Sequence, residues 1–147
     1  MPSLDVNQIM SYIPHRYPML MVDRIIDYET GVRAVGLKNV TINETHFQGH
    51  YPGQPIMPGV YIIEFMAQSG AVILLTDPRF LGMTPVIGAI DDVRFRRQVV
   101  PGDQLIAEVT LDRLRGTVGW MTAVAKVGDD IAAEMTLTFK LLPADEK

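Results

Sequence analysis

Apolar and polar residues alternate over residues 131–141. Ile131, Ala133, Met135, Leu137, Phe139 and Leu141 fall on one face, and Ala132, Glu134, Thr136, Thr138 and Lys140 on the other. A period of two sends successive side chains to opposite sides of a pleated strand, so this segment predicts a half-buried strand. The same alternation runs through 104–112, where Leu105, Ala107, Val109 and Leu111 share a face, and through 117–127. Turns are expected at Pro101–Asp103 and, as a hairpin, at Gly128–Asp130. Earlier in the chain, strands are predicted at 19–26, at 32–40 after Gly31, and at 86–99 with a bend near Asp91–Asp92. A short helix over 5–13 is capped by Asp5 and stopped by Pro14, 76–84 is a loop, and the tail from Pro143 to Lys147 should fray.

One segment breaks the alternation. From Val60 to Leu75 nearly every residue is apolar, which predicts a helix buried on all sides. It follows a loop over 45–58 in which Gly49, Pro52, Gly53, Pro55 and Pro58 preclude regular structure. A long apolar helix with five or six mostly antiparallel strands is an α+β arrangement, with the sheet curved around the helix. One sheet cannot enclose a helix completely, so a second subunit is expected on the open side.

With 147 residues, 48% hydrophobic and 20% charged, the chain reads as one domain spanning 1–147. A net charge of −4 argues against a general nucleic-acid binder, and the absence of cysteine excludes disulfides and thiol chemistry. The first residues lack the basic-then-apolar order of a secretory signal. The stretch 60–75 is short for a membrane span and contains Glu64, Gln68 and Ser69. A soluble cytoplasmic protein is expected.

Chemistry concentrates around residues 45–70. Glu64 is the one carboxylate in the apolar helix, where ionisation is costly unless a partner compensates. Gln68 lies one turn further on the same face and can orient it by a hydrogen bond. Together with the loop histidine His50, this is a pair suited to general acid–base work. Residue type alone also allows Glu64 to sit at an exposed edge and His50 to be an ordinary loop residue. Gly59 opens the helix, where free N–H groups can polarise a carbonyl oxygen; it also relieves crowding after Pro58. His46 and His50 have an H-x3-H spacing, but Gly49 and Pro52 break the helix a zinc pair would need, so no metal is expected. His15 is a second candidate imidazole, with a structural role as the simpler reading. Arg94, Arg96 and Arg97 form a basic cluster, either a solvated edge or a docking patch for an acidic partner.

The stretch HFQGHYPGQPIMPGVYIIEFMAQ resembles the signature of the FabZ-type 3-hydroxyacyl-acyl-carrier-protein dehydratases of fatty acid biosynthesis. IPHRYPMLMVDRI at 13–25, FRRQVVPGDQL at 95–105 and AAEMTLTFKL at 132–141 extend the resemblance over nearly the whole chain. It implies a hot-dog fold, paired subunits assembling as three dimers, and active sites at the dimer interface. Carried over, His50 and Glu64 are the catalytic residues, supplied by opposite subunits, and the Gly59 N–H binds the thioester carbonyl. The substrate is carried by acyl carrier protein, and no cofactor is required. Tyr51, Tyr61 and Phe65 depart from the usual pattern, and Tyr61 and Phe65 are expected to alter the acyl tunnel. A hot-dog thioesterase and a silent acyl-binding subunit are the competing readings; an added isomerase activity is a variant that Glu64, in place of Asp, argues against.

Overall fold

The computed structural model describes residues 2–144, so Asp145–Lys147 of the tail expected to fray lie outside the described residues. Helix α1 spans Val6–Tyr12 and is held by a capping box in which Asp5 and Gln8 bond reciprocally at 2.9 Å. Strands β1 (Arg24–Glu29) and β2 (Arg33–Asn39) come next, then a single 3-10 turn at Thr45–Gln48. Helix α2 runs from Gly59 to Leu75, and is followed by β3 (Thr84–Phe95), β4 (Gln104–Arg115), β5 (Val118–Val127) and β6 (Asp130–Leu142). The strands form one antiparallel sheet in the order β1-β2-β4-β5-β6-β3. This sheet curls around α2 in the expected hot-dog arrangement.

The inward faces are Leu105, Ala107 and Val109 on β4, Met121, Ala123 and Ala125 on β5, and Met135, Leu137, Phe139 and Leu141 on β6. The alternation predicts those of β4 and β6 and leaves the face of β5 open. It fails at Ile131, which is partly exposed while Ala132 is buried, because the register against β5 shifts there. Helix and sheet approach closely through small residues. A Cβ at Gly36 of β2 would stand 2.0 Å from Ser69 Oγ, and one at Gly70 would stand 2.9 Å from Met121 Sδ. The bend in β3 falls where the sequence put it: the register against β6 shifts between Asp91 and Arg94, and Asp92 has φ +53°.

Three expectations need correction. The apolar run at 19–22 is not strand; β1 begins at Arg24, because the Met21 N–H bonds the Gln68 side chain instead of a neighbouring strand. Strand β3 ends at Phe95, and residues 96–100 continue as an irregular segment tied to its neighbours by Arg96 N–H to Ala132 and Met57 N–H to Val99, both 2.8 Å. Helix α2 is buried all round only from Gln68 to Leu75. In its first half Val60 is 67% exposed, and Ile63, Glu64 and Ala67 are partly open. The chain's own sheet runs out there.

Candidate active site

His50 lies in the loop between the 3-10 turn and α2. Its backbone N–H bonds the His46 carbonyl at 3.1 Å, and its ring Nδ1 lies 2.8 Å from the Ile56 carbonyl. A carbonyl only accepts, so Nδ1 carries the proton and Nε2 of the neutral ring is left as the base. The ring stacks on Tyr51, centroids 4.0 Å apart, and lines a cavity of about 420 Å³ with Gly59, Ile63 and Phe95. Gly59 opens α2 at this cavity, and its N–H has no backbone acceptor among the described residues. A Cβ at Gly59 would stand 2.9 Å from the Phe95 ring, so glycine is what lets that ring cover the helix start. A free N–H at the positive end of a 17-residue helix is placed to receive a developing oxyanion.

Glu64 lies one and a half turns along α2, its side chain 24% exposed, so it is not sealed in apolar surroundings as the all-apolar pattern suggests. Gln68 donates to its Oε2 at 2.8 Å. Gln68 itself is 1% exposed and fixed at three points, since Nε2 also donates to the Met19 carbonyl at 2.7 Å and Oε1 accepts the Met21 N–H at 2.8 Å. The amide orientation therefore follows from the backbone of residues 19–21. His15 Nε2 stands 3.7 Å from Glu64 Oε2. Burial holds the His15 imidazole below its usual value, with Glu64 acting in the other direction, and its Nδ1 is buried with no partner. His15, weighed in the sequence against a purely structural role, thus shares the carboxylate's cavity of about 240 Å³ with Ala67, Ala71, Val86 and Phe139.

The two cavities have no lining residue in common. Within one chain, the imidazole and the carboxylate therefore serve different openings. Tyr61 and Phe65 line neither. Tyr61 packs edge-on against His46, centroids 4.7 Å apart, and Phe65 is wholly buried toward Gly36. The stripe Tyr61–Glu64–Phe65–Gln68 spans roughly 100° of the helix, so Glu64 and Phe65, at its edges, look in different directions. Burial, with opposing contributions from neighbouring charges, also lowers the His46 pKa, and its Nε2 is buried without a partner. Among the described residues, no group of three or more His, Asp or Glu side chains could hold a metal ion. The basic cluster is largely neutralised: Arg96 bonds Glu134 at 2.5 Å and Arg97 bonds Asp130 at 3.0 Å, leaving Arg94 without an acidic partner among the described residues.

Sequence reasoning missed the Ile56 carbonyl that sets the His50 tautomer and the Met19–Met21 backbone that fixes Gln68. Backbone groups carry no residue signature. It also passed over Lys38, whose inward register on β2, after Ala34 and Gly36, was legible.

A family profile described as a FabA-like domain matches residues 13–136. The chain is 60% identical over 136 residues to the 3-hydroxyacyl-[acyl-carrier-protein] dehydratase FabZ of Pelotomaculum thermopropionicum, covering 92% of this chain and 97% of that one. It is 50% identical to the enzyme of the same name from Clostridium acetobutylicum, covering 95% and 99%. Among solved structures, a chain of the dehydratase heterocomplex ApeI:P from Xenorhabdus doucetiae superposes with a TM-score of 0.79 at 17% identity, over 94% of this chain and 93% of that one. That likeness concerns the fold alone. With the family profile over most of its length and a full-length relative at 60% identity, the chain belongs to the FabA-like family and, within it, to the FabZ-type 3-hydroxyacyl-[acyl-carrier-protein] dehydratases, which are hydro-lyases.

Proposed function

We propose that this protein removes water from a (3R)-3-hydroxyacyl thioester on acyl carrier protein, giving the trans-2-enoyl thioester, as a step of fatty acid biosynthesis. The observation that carries this is the His50 tautomer: the Ile56 carbonyl holds the Nδ1 proton and reserves Nε2 as a base. His50 Nε2 takes the C2 proton while the Gly59 N–H stabilises the enolate oxygen of the thioester. Glu64, aimed by Gln68, delivers a proton to the C3 hydroxyl, the C3–O bond breaks, and water leaves. The imidazolium and carboxylate left behind exchange their proton before the next turnover. The thioester carbonyl itself acidifies C2, so no cofactor is needed.

His50 and Glu64 line separate cavities in one chain, which supports a site completed by two subunits. The free edge supports the same arrangement. Strand β3 ends the sheet and exposes Val86, Ile87 and Phe95, so a second copy adding there covers apolar surface and satisfies edge backbone groups. Three such dimers make the hexamer that the resemblance implies. The chain acts as one domain, 1–147, in the cytoplasm; no helix among the described residues is long and apolar enough to cross a membrane.

Mass spectrometry of 3-hydroxyacyl and enoyl thioesters, on carrier protein and on coenzyme A, tests this for the parent, His50→Ala and Glu64→Ala. Interconversion by one water, lost in both folded variants, is expected. Release of free thiol instead would make the protein a thioesterase.

A further inference from the structure

We propose that the ion pair of buried Lys38 with half-buried Glu44 is a positioning device for His50, which makes Lys38 and Glu44 positioning residues of the reaction; this rests on His50 being its base. Lys38 occupies an inward position of β2, where the alternation calls for an apolar side chain. It is 7% exposed, and its Nζ donates to Glu44 Oε1 at 2.7 Å. The other carboxylate oxygen accepts the Thr41 N–H at 2.9 Å. Glu44 is the residue from which the 3-10 turn starts, its carbonyl accepting the Phe47 N–H at 3.2 Å. Inside that turn, the His46 carbonyl accepts the His50 N–H at 3.1 Å. A continuous path thus runs from the inner face of the sheet, through the pair and one turn, to the backbone of His50. The ring's second anchor, the Ile56 carbonyl, lies on the far side of the loop.

Stability alone does not account for such a pair. Apolar residues of similar volume commonly replace a buried ion pair with no loss of stability, but they fix no direction. A hydrogen-bonded pair pins the turn to one place on β2, and this locates the His50 ring to within the fraction of an ångström that proton transfer demands.

The test is the double substitution Lys38→Met/Glu44→Met, which removes both charges and leaves none buried alone. The expected result is a folded protein with kcat lowered about ten- to hundred-fold and KM for the acyl thioester close to the parent's. Imidazole nitrogen NMR gives a readout free of turnover: His50 should show the single Nδ1–H tautomer in the parent and a mixture in the variant. Glu44→Gln serves if the double variant does not fold. Its amide puts an NH2 where one of the two carboxylate oxygens stood, so either Lys38 or the Thr41 N–H faces a donor, and the same direction is expected. Unchanged kcat, or an unchanged single tautomer, in a folded variant would overturn the proposal. A parent that converts no hydroxyacyl thioester would instead refute the dehydratase reading, with the tautomer measurement still judging the pair.

Discussion

At the scale of single residues, Gln68 does more than accompany Glu64. Its buried amide joins the carboxylate to the backbone of residues 19–21 through three bonds of 2.7–2.8 Å. Gln68→Leu keeps the bulk but strands the Met21 N–H and the Met19 carbonyl. Each such group costs about 1–3 kcal/mol when left unpaired. Urea unfolding should show a loss of that order, and kcat should fall further than stability explains, because Glu64 loses its aim. A variant with parental stability and rate would remove Gln68 from the site. The histidines give a second residue-level expectation. Burial disfavours the imidazolium of His15 and His46 in the folded chain, so both stand below their ordinary value of 6.5. Below that value the unfolded chain binds more protons, so stability is complete above about pH 6.5 and declines as the pH falls toward the folded-state values. Thermal melts from pH 7.5 down to pH 5 should show Tm falling through this window. A flat profile in the parent, or a slope left unchanged in His15→Gln, would contradict the assignment. Of this residue-level detail, Glu64 and Gln68 stood out because polar side chains are anomalous in an apolar helix, whereas His50, a loop histidine, stood out only through the resemblance of its surrounding motif. Their orientation was not legible, since it is set by the carbonyls of Ile56 and Met19, which any residue would present.

Among the elements, legibility followed the clarity of the period. Strand β4, and β6 from Ala133 on, face the core through the apolar set of their alternation, because each has one face on α2 and the other away from it. In β5 both sets carry apolar residues, so the period names the strand but not its inner face. The run at 19–22 misleads because apolar residues near a helix can be buried without being paired, and a side chain of α2 takes the Met21 N–H. The helix itself was read as enclosed, yet only its second half is. No periodicity shows where a sheet stops covering it. The close contact of helix and sheet depends on one position that composition hides. A Cβ at Gly36 would meet Ser69 Oγ at 2.0 Å and Ser69 Cβ at 2.8 Å, which no rotamer can relieve. Gly36→Ala should therefore force β2 and α2 apart and cost about 1–3 kcal/mol, as overpacked cores do. Ser69→Gly loses some helix propensity by itself, but it clears the space. Combining the two should recover part of the Gly36→Ala loss, a coupling that a double-mutant cycle on denaturation midpoints measures directly. Strict additivity would mean that the two elements do not meet there.

For the whole molecule, the decisive feature is that one chain does not bring His50 and Glu64, the base and acid of the proposed reaction, to one opening. His50 and Gly59 share one cavity; Glu64, Gln68 and His15 share another. The open first half of α2 and the apolar edge of β3 lie on surface that the chain leaves uncovered. A second copy covering that surface, with each active site built from the His50 of one subunit and the Glu64 of the other, makes a quantitative prediction. His50→Ala and Glu64→Ala should each be inactive alone. When the two variants exchange subunits at random, half the dimers are mixed, and each mixed dimer carries one site with both substitutions and one with neither. Activity should then return to about a quarter of the parent's, rising with the mixed fraction measured by native mass spectrometry. If His50 and Glu64 of the same chain met instead, every site would keep one defect and mixing would restore nothing. Recovery on mixing would therefore give both residues their roles and the subunit arrangement in one experiment, whereas its absence alongside demonstrated exchange would confine the chemistry to single chains.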